Sequence, residues 1–122
     1  IFYTGIRNAL TINFEVEAQD QPWFFTDGGL FASGDSYQEI NFLPSVSLQP
    51  RNYGWPIFEG PGCTPNGFFT DLCDDRDGFS FPLYTYRSFG DPPTGSAAIG
   101  GFVYRAQRNP SLVGKFIFGD AV

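Results

Sequence analysis

What most constrains the fold of this chain is the spacing of its helix breakers. Fifteen glycines and ten prolines are spread over 122 residues, where each Gly or Pro inside a helix costs about 1 or about 3 kcal/mol relative to Ala. Between them sit fifteen Phe, six Tyr and two Trp, 19% of all residues, bulky rings that supply apolar area and suit pleated surfaces. The expectation is an all-β chain of short strands and many turns, with no helix of ordinary length. At this size one core is expected, burying about two thirds of the unfolded surface.

The segment Thr11-Ile12-Asn13-Phe14-Glu15-Val16-Glu17 alternates apolar and polar residues, which predicts a half-buried strand with Ile12, Phe14 and Val16 facing the core. Trp23-Phe24-Phe25 and Leu30-Phe31-Ala32 flank Thr26-Asp27-Gly28-Gly29, and an Asp-Gly between two apolar runs predicts a hairpin turn. A third strand is predicted over 39–43, with Ile40 and Phe42 on one face. The polar, proline-bounded stretch 44–50 is a connection. Gly, Pro and Asp crowd 60–79, which reads as a long surface loop of the kind that is usually functional or cross-linked. Strands are predicted again over 81–86, 101–105 and 115–118, separated by the turn formers of 90–95 and by Asn109-Pro110.

Seven basic against thirteen acidic residues leave a formal charge of −6. Phosphate backbones and anionic lipid surfaces are repelled on average, so nucleic acid is excluded as a partner. No run of eighteen apolar residues could span a bilayer, and no basic start leads into an apolar leader. The chain holds no Met and opens inside a motif, so Ile1 is read as a processing site or an edge rather than a translation start. The absence of histidine removes every Ser-His or Cys-His pair. Taken alone, the chain is not a self-sufficient enzyme of those kinds.

Cys63 and Cys73 are the only cysteines and share the 60–79 loop. A zinc site would need two further ligands and no His is present to supply them, so a disulfide is the better reading, contributing about 2–3 kcal/mol. It implies an extracellular or cell-surface setting. Asp74-Asp75-Arg76-Asp77-Gly78 lacks the alternation and closing Glu of an EF-hand and reads as a solvated acidic turn. Arg105 ends its strand either by pointing into a pocket or, as favoured here, by capping the edge.

Four runs stand in an order that carries a resemblance: Gly5-Ile6-Arg7-Asn8, Asn52-Tyr53-Gly54-Trp55-Pro56-Ile57-Phe58-Glu59-Gly60, Ile99-Gly100-Gly101-Phe102-Val103-Tyr104-Arg105 and Lys115-Phe116-Ile117-Phe118-Gly119-Asp120. Each has a local meaning too. Gly54 between two large rings and before Pro56 suits a turn, and paired Gly100-Gly101 suits a tight strand entry with close approach of another backbone. Together they resemble the soluble glucose/sorbosone dehydrogenase family, the six-bladed β-propeller of pyrroloquinoline-quinone (PQQ) sugar dehydrogenases and hedgehog-interacting-protein-like proteins. The resemblance covers nearly the whole chain but only the later half of such a domain. It implies one partial propeller domain over 1–122, two to three blades of four-stranded antiparallel sheet, with blade material over 1–50 and 80–122 about the cysteine-bearing loop 60–79.

In that family an Arg-Asn pair contacts the quinone, which maps onto Arg7 and Asn8; the same two residues could instead satisfy turn carbonyls. The family's calcium-bearing loop corresponds to 32–38, which is shortened and rewritten here, so calcium ligands are not carried over. PQQ and calcium are expected only with the full domain, not for this chain alone. The expected role is therefore an extracellular, non-catalytic one in binding or assembly, with further blades, copies of itself or another protein as partners. A fragment of a PQQ-dependent sugar dehydrogenase is the rival reading. A third option is carbohydrate stacking on Trp23, Trp55 or Tyr rings.

Overall fold

The computed structural model describes residues 3–16, 18–29, 36–45, 49–64, 69–88 and 95–121. They are all-β: β1 (Tyr3–Thr4), β2 (Ala9–Phe14), β3 (Trp23–Gly28), β4 (Tyr37–Leu43), β5 (Arg51–Asn52), β6 (Phe58–Glu59), β7 (Gly62–Cys63), β8 (Tyr84–Arg87), β9 (Ala98–Val103) and β10 (Phe116–Asp120). Helical structure among the described residues amounts to single 3-10 turns at Thr70–Leu72 and Pro110–Leu112. The central feature is a four-stranded antiparallel sheet in the order β2-β3-β4-β8. Two antiparallel ribbons, β9-β10 and β6-β7, and a short parallel pair, β1-β5, complete the set.

Side chains alternate across a strand, so the central sheet has two faces with different partners. One face carries Thr11, Asn13, Phe24, Thr26, Gln38, Ile40 and Phe42 and receives the β9-β10 ribbon. Phe24 stacks on Phe116 at 4.4 Å and leans on Phe42 at 4.9 Å. Fully buried Gln38 donates to Ser88 Oγ (2.7 Å) and the Ser96 carbonyl (3.2 Å), while its Oε1 accepts the Ala98 N–H (3.0 Å). A buried amide is stabilising only when its hydrogen bonds are made; here they fasten β4 to the start of β9.

The glycine pair explains how close the ribbon comes. The Thr11 hydroxyl accepts the Gly100 N–H at 2.7 Å, and the Asn13 amide donates to the Gly101 carbonyl. A Cβ at Gly100 would strike Thr11, and one at Gly101 would strike the Ile117 carbonyl. Only glycine permits both approaches at once.

This contact reverses one expectation. Ile12, Phe14 and Val16 do not face the core: Ile12 is 56% and Val16 75% exposed, while Glu15 is buried and Thr11 and Asn13 point at the ribbon. The alternation is real, but the polar face found hydrogen-bonding partners on β9, and that contact set the phase. A second correction concerns Asp27-Gly28. Instead of a hairpin turn these residues end β3 and pair with Glu39 and Gln38, because the Asp27 carboxylate is engaged about twenty positions away, at Arg7 and Asn8. Leu30-Phe31-Ala32 and the turn residues 90–94 lie outside the described residues.

Candidate functional site

The other face of the central sheet presents Phe25, Asp27, Glu39, Asn41 and Leu43 to the segment 51–60. That segment is held as a compact turn. The Gly54 N–H donates to Asn52 Oδ1 (3.0 Å), and the Ile57 and Phe58 N–H groups return to the Gly54 carbonyl at 2.8 and 2.9 Å. The Trp55–Pro56 peptide within it is cis. Tyr53 N–H reaches the Thr4 carbonyl and Trp55 N–H the Gly5 carbonyl, each at 2.9 Å, which docks the turn carrying Arg7. Gly5 has φ +69°, and a Cβ there would collide with Asn52 and the Gly54 nitrogen, so this junction requires glycine. Buried Tyr53 then meets Phe25 edge to face at 4.8 Å.

Three carboxylates are gathered where these pieces meet. Asp27 accepts the backbone N–H of Arg7 (2.9 Å) and of Asn8 (2.5 Å). Glu39 accepts Gly60 N–H on Oε1 (2.7 Å) and the Asn41 amide on Oε2 (3.1 Å). Glu59 Oε1 accepts the Tyr37 N–H at 2.9 Å. All three are buried. Arg7 lines the same cavity, its guanidinium donating to the Gly28 and Gly29 carbonyls at 2.9 and 2.7 Å with its carbon 5.5 Å from the Trp55 ring centre. The cavity they line holds about 10 Å³, roughly the room one water needs.

Electrostatics follow from burial. Desolvation pushes the Glu39 carboxyl from the ordinary 4.5 up to about 7, against the hydrogen bonds from Gly60 and Asn41, and the charges of Asp27 and Glu59 push the same way. Desolvation also raises Asp27, opposed by the Arg7 and Asn8 N–H groups and the Arg7 charge. The arrangement is suited to holding a proton near neutral pH.

Among the described residues, the surroundings of Arg7 do not fit PQQ. The quinone is a tricarboxylate, yet Arg7 shares a water-sized cavity with three carboxyl groups, and its Nη1 already donates to two backbone carbonyls. Asn8 is exposed, and its backbone N–H is donated to Asp27. For calcium, no group of three or more His, Cys, Asp or Glu among the described residues is arranged to hold a metal ion. Within this chain, the two residues read as quinone contacts bind the end of β3.

The remaining residues singled out from sequence are dispersed. Cys63 and Cys73 are joined by a disulfide with their Cα atoms 5.8 Å apart. Residues 74–78 are exposed, with Asp77 N–H on Asp75 Oδ1 at 2.9 Å, while the Arg76 guanidinium lies 4.0 Å from the Phe81 ring centre. Arg105 caps the strand edge through an ion pair with buried Glu15 at 3.0 Å. Trp23 and Trp55 are half-buried, and Trp23 packs against Tyr3 and Phe14. The acidic trio was missed, although Glu39 and Glu59 stand in runs where a carboxylate precedes residues of high β-propensity or a glycine.

The chain is similar to the HIPL2 protein of Arabidopsis thaliana. They are 29% identical over 123 aligned residues, which takes in 98% of this chain and 16% of that protein. This chain therefore spans well under two thirds of its relative. No family model matches it, and no solved structure does. Among the described residues no helix is long and apolar enough to cross a membrane.

Proposed function

We propose that the chain is a segment of a sugar-dehydrogenase-like, hedgehog-interacting-protein-like β-propeller outside the cell, with a role in binding or assembly rather than catalysis. The observation that carries this reading is the apolar flank of β2. Leu10, Ile12, Phe14 and Val16 are all exposed beside a small apolar recess lined by Ile6, Ile12, Trp23 and Leu43. Such a surface on an edge strand is suited to further sheet. The layering supports it as well: a four-stranded antiparallel sheet with a glycine-paired ribbon laid across it is how one blade and the start of the next would meet. The blade material over 1–50 and 80–122 would then belong to one domain, with the disulfide-closed loop of 60–79 on its surface. The disulfide suits an oxidising compartment.

The alternative, a fragment of a PQQ-dependent sugar dehydrogenase, places its cofactor walls and catalytic base in sequence beyond these residues. The carboxylates that share a cavity with Arg7 weigh against it. Carbohydrate stacking on Trp23 or Trp55 is disfavoured by their engagement in packing. Sedimentation of the isolated 122-residue chain tests the assembly reading. Self-association, with strong binding of an apolar dye, is expected; a compact monomer with little dye affinity would overturn it.

A further inference from the structure

A second recess lies at the opposite edge of the central sheet, between β8 and β10. Tyr84 and Tyr86 alternate with Thr85, so both rings project from one face of β8. Phe118 joins them from β10, at the point where the β9-β10 register slips between Ile117 and Gly119; such bulges re-aim side chains. The three ring centres are 6.1, 6.2 and 6.3 Å apart. Tyr86 is tilted by 32° from Tyr84 and by 30° from Phe118, while those two make 53° with each other, nearly the sum of the two tilts. Tyr84 and Phe118 are thus inclined to Tyr86 in different directions, and all three rings line one recess. Gly119 and Asp120 complete a cleft of about 270 Å³.

Asp120, which lines the cleft, is firmly held. Its Oδ2 accepts the Tyr86 hydroxyl, and its Oδ1 accepts the N–H groups of Ser96 (2.7 Å) and Ala97 (3.3 Å). Burial and this carboxylate raise the Tyr86 phenol, which keeps it a donor. Both carboxylate oxygens already accept hydrogen bonds, so a ligand gains less by donating to them than by its charge. A ligand that needs only ring faces and a negative field loses nothing.

We propose that this cleft binds a quaternary ammonium group, of the choline or trimethyl-lysine class, on the faces of Tyr84, Tyr86 and Phe118, with Asp120 as the countercharge. A cation about 3 Å above the triangle of ring centres lies within the ~6 Å range of cation–π attraction for all three rings at once. The trimethylated head carries no N–H, so it makes no demand on Asp120 beyond charge. The chain's formal charge of −6 adds long-range attraction.

The test is a titration of the native polypeptide, followed by NMR, with choline chloride and with 3,3-dimethylbutan-1-ol, its neutral isostere, at equal ionic strength. Saturable choline binding is expected, about tenfold tighter than the alcohol. Tyr84→Leu and Phe118→Leu should each weaken it by about fivefold or more, whereas Tyr84→Phe should leave it unchanged. Tyr84 is 55% exposed, so its substitution leaves the core intact. Equal binding of the alcohol, no saturable choline binding, an unaffected Tyr84→Leu variant, or preference for a methyl glycoside would each overturn the proposal. None of these outcomes depends on whether the isolated chain self-associates.

Discussion

At Glu39 a carboxyl with an ordinary value of 4.5 is held at about 7 by its burial beside Asp27 and Glu59. A group whose folded value lies above its unfolded one adds stability in full below the unfolded value, and that stability is lost as pH rises through the folded value. Folding should therefore weaken from about pH 5 to pH 8, by an amount on the order of 2–3 kcal/mol. Denaturant midpoints across that range are the measurement. Glu39→Gln should flatten the slope and be the more stable form at pH 8. The Gln oxygen can still accept from Gly60, and Asn41, whose buried Oδ1 has no hydrogen-bond partner, can turn its amide to accept from the new NH₂. If the slope is unchanged in Glu39→Gln, the trio is not the source of the pH dependence. The resemblance marked Arg7 and Asn8 as quinone contacts or partners of turn carbonyls, but that Arg7 would line one cavity with three buried acids needed the packing of 51–60 onto β3 and β4.

The β9 strand tests how far packing of elements rests on glycine. Gly101→Ala puts a methyl group on the Ile117 carbonyl, a backbone atom that cannot step aside, and overpacking of this kind costs about 1–3 kcal/mol. Gly119→Ala, on the neighbouring strand where a Cβ meets nothing within 4 Å, should change stability by no more than about 0.5 kcal/mol. Thermal melts of the two variants side by side measure the contrast, and equal losses would mean that β9 and β10 can separate freely. Element identities were largely legible. The alternating run gave β2, the Glu-Ile-Asn-Phe-Leu run gave most of β4, and the runs near 84, 101 and 116 gave β8, β9 and β10, with ends displaced by one to three residues. What the local pattern missed were the two-residue strands β1, β5, β6 and β7, and the extent of β3 through Asp27-Gly28, since a local turn preference is outweighed by buried hydrogen bonds to a distant turn.

For the molecule as a whole, the apolar flank of β2 is a surface with much to gain from company. Ile12→Ser combined with Val16→Ser removes apolar groups that are more than half exposed. Its effect on the melting of the isolated chain should be small, within about 0.5 kcal/mol per site. Its effect on self-association should be large, shifting the sedimentation profile toward monomer. A lower melting temperature with unchanged association would show that the flank serves this chain's own core instead. Composition and periodicity by themselves determined that the chain is all-β, which residues form most of its strands, that its two cysteines share one loop, and that its acidity repels polyanions. These depend on local preference and on sums over residues. Only the tertiary structure decided which face of β2 is inside, that Asp27 ends a strand, that three carboxylates line one cavity with Arg7, and that Tyr84, Tyr86 and Phe118 line one cleft. Each of these depends on atoms brought together from positions about twenty to ninety residues apart, and an energy that resides in such contacts is not carried by any segment alone.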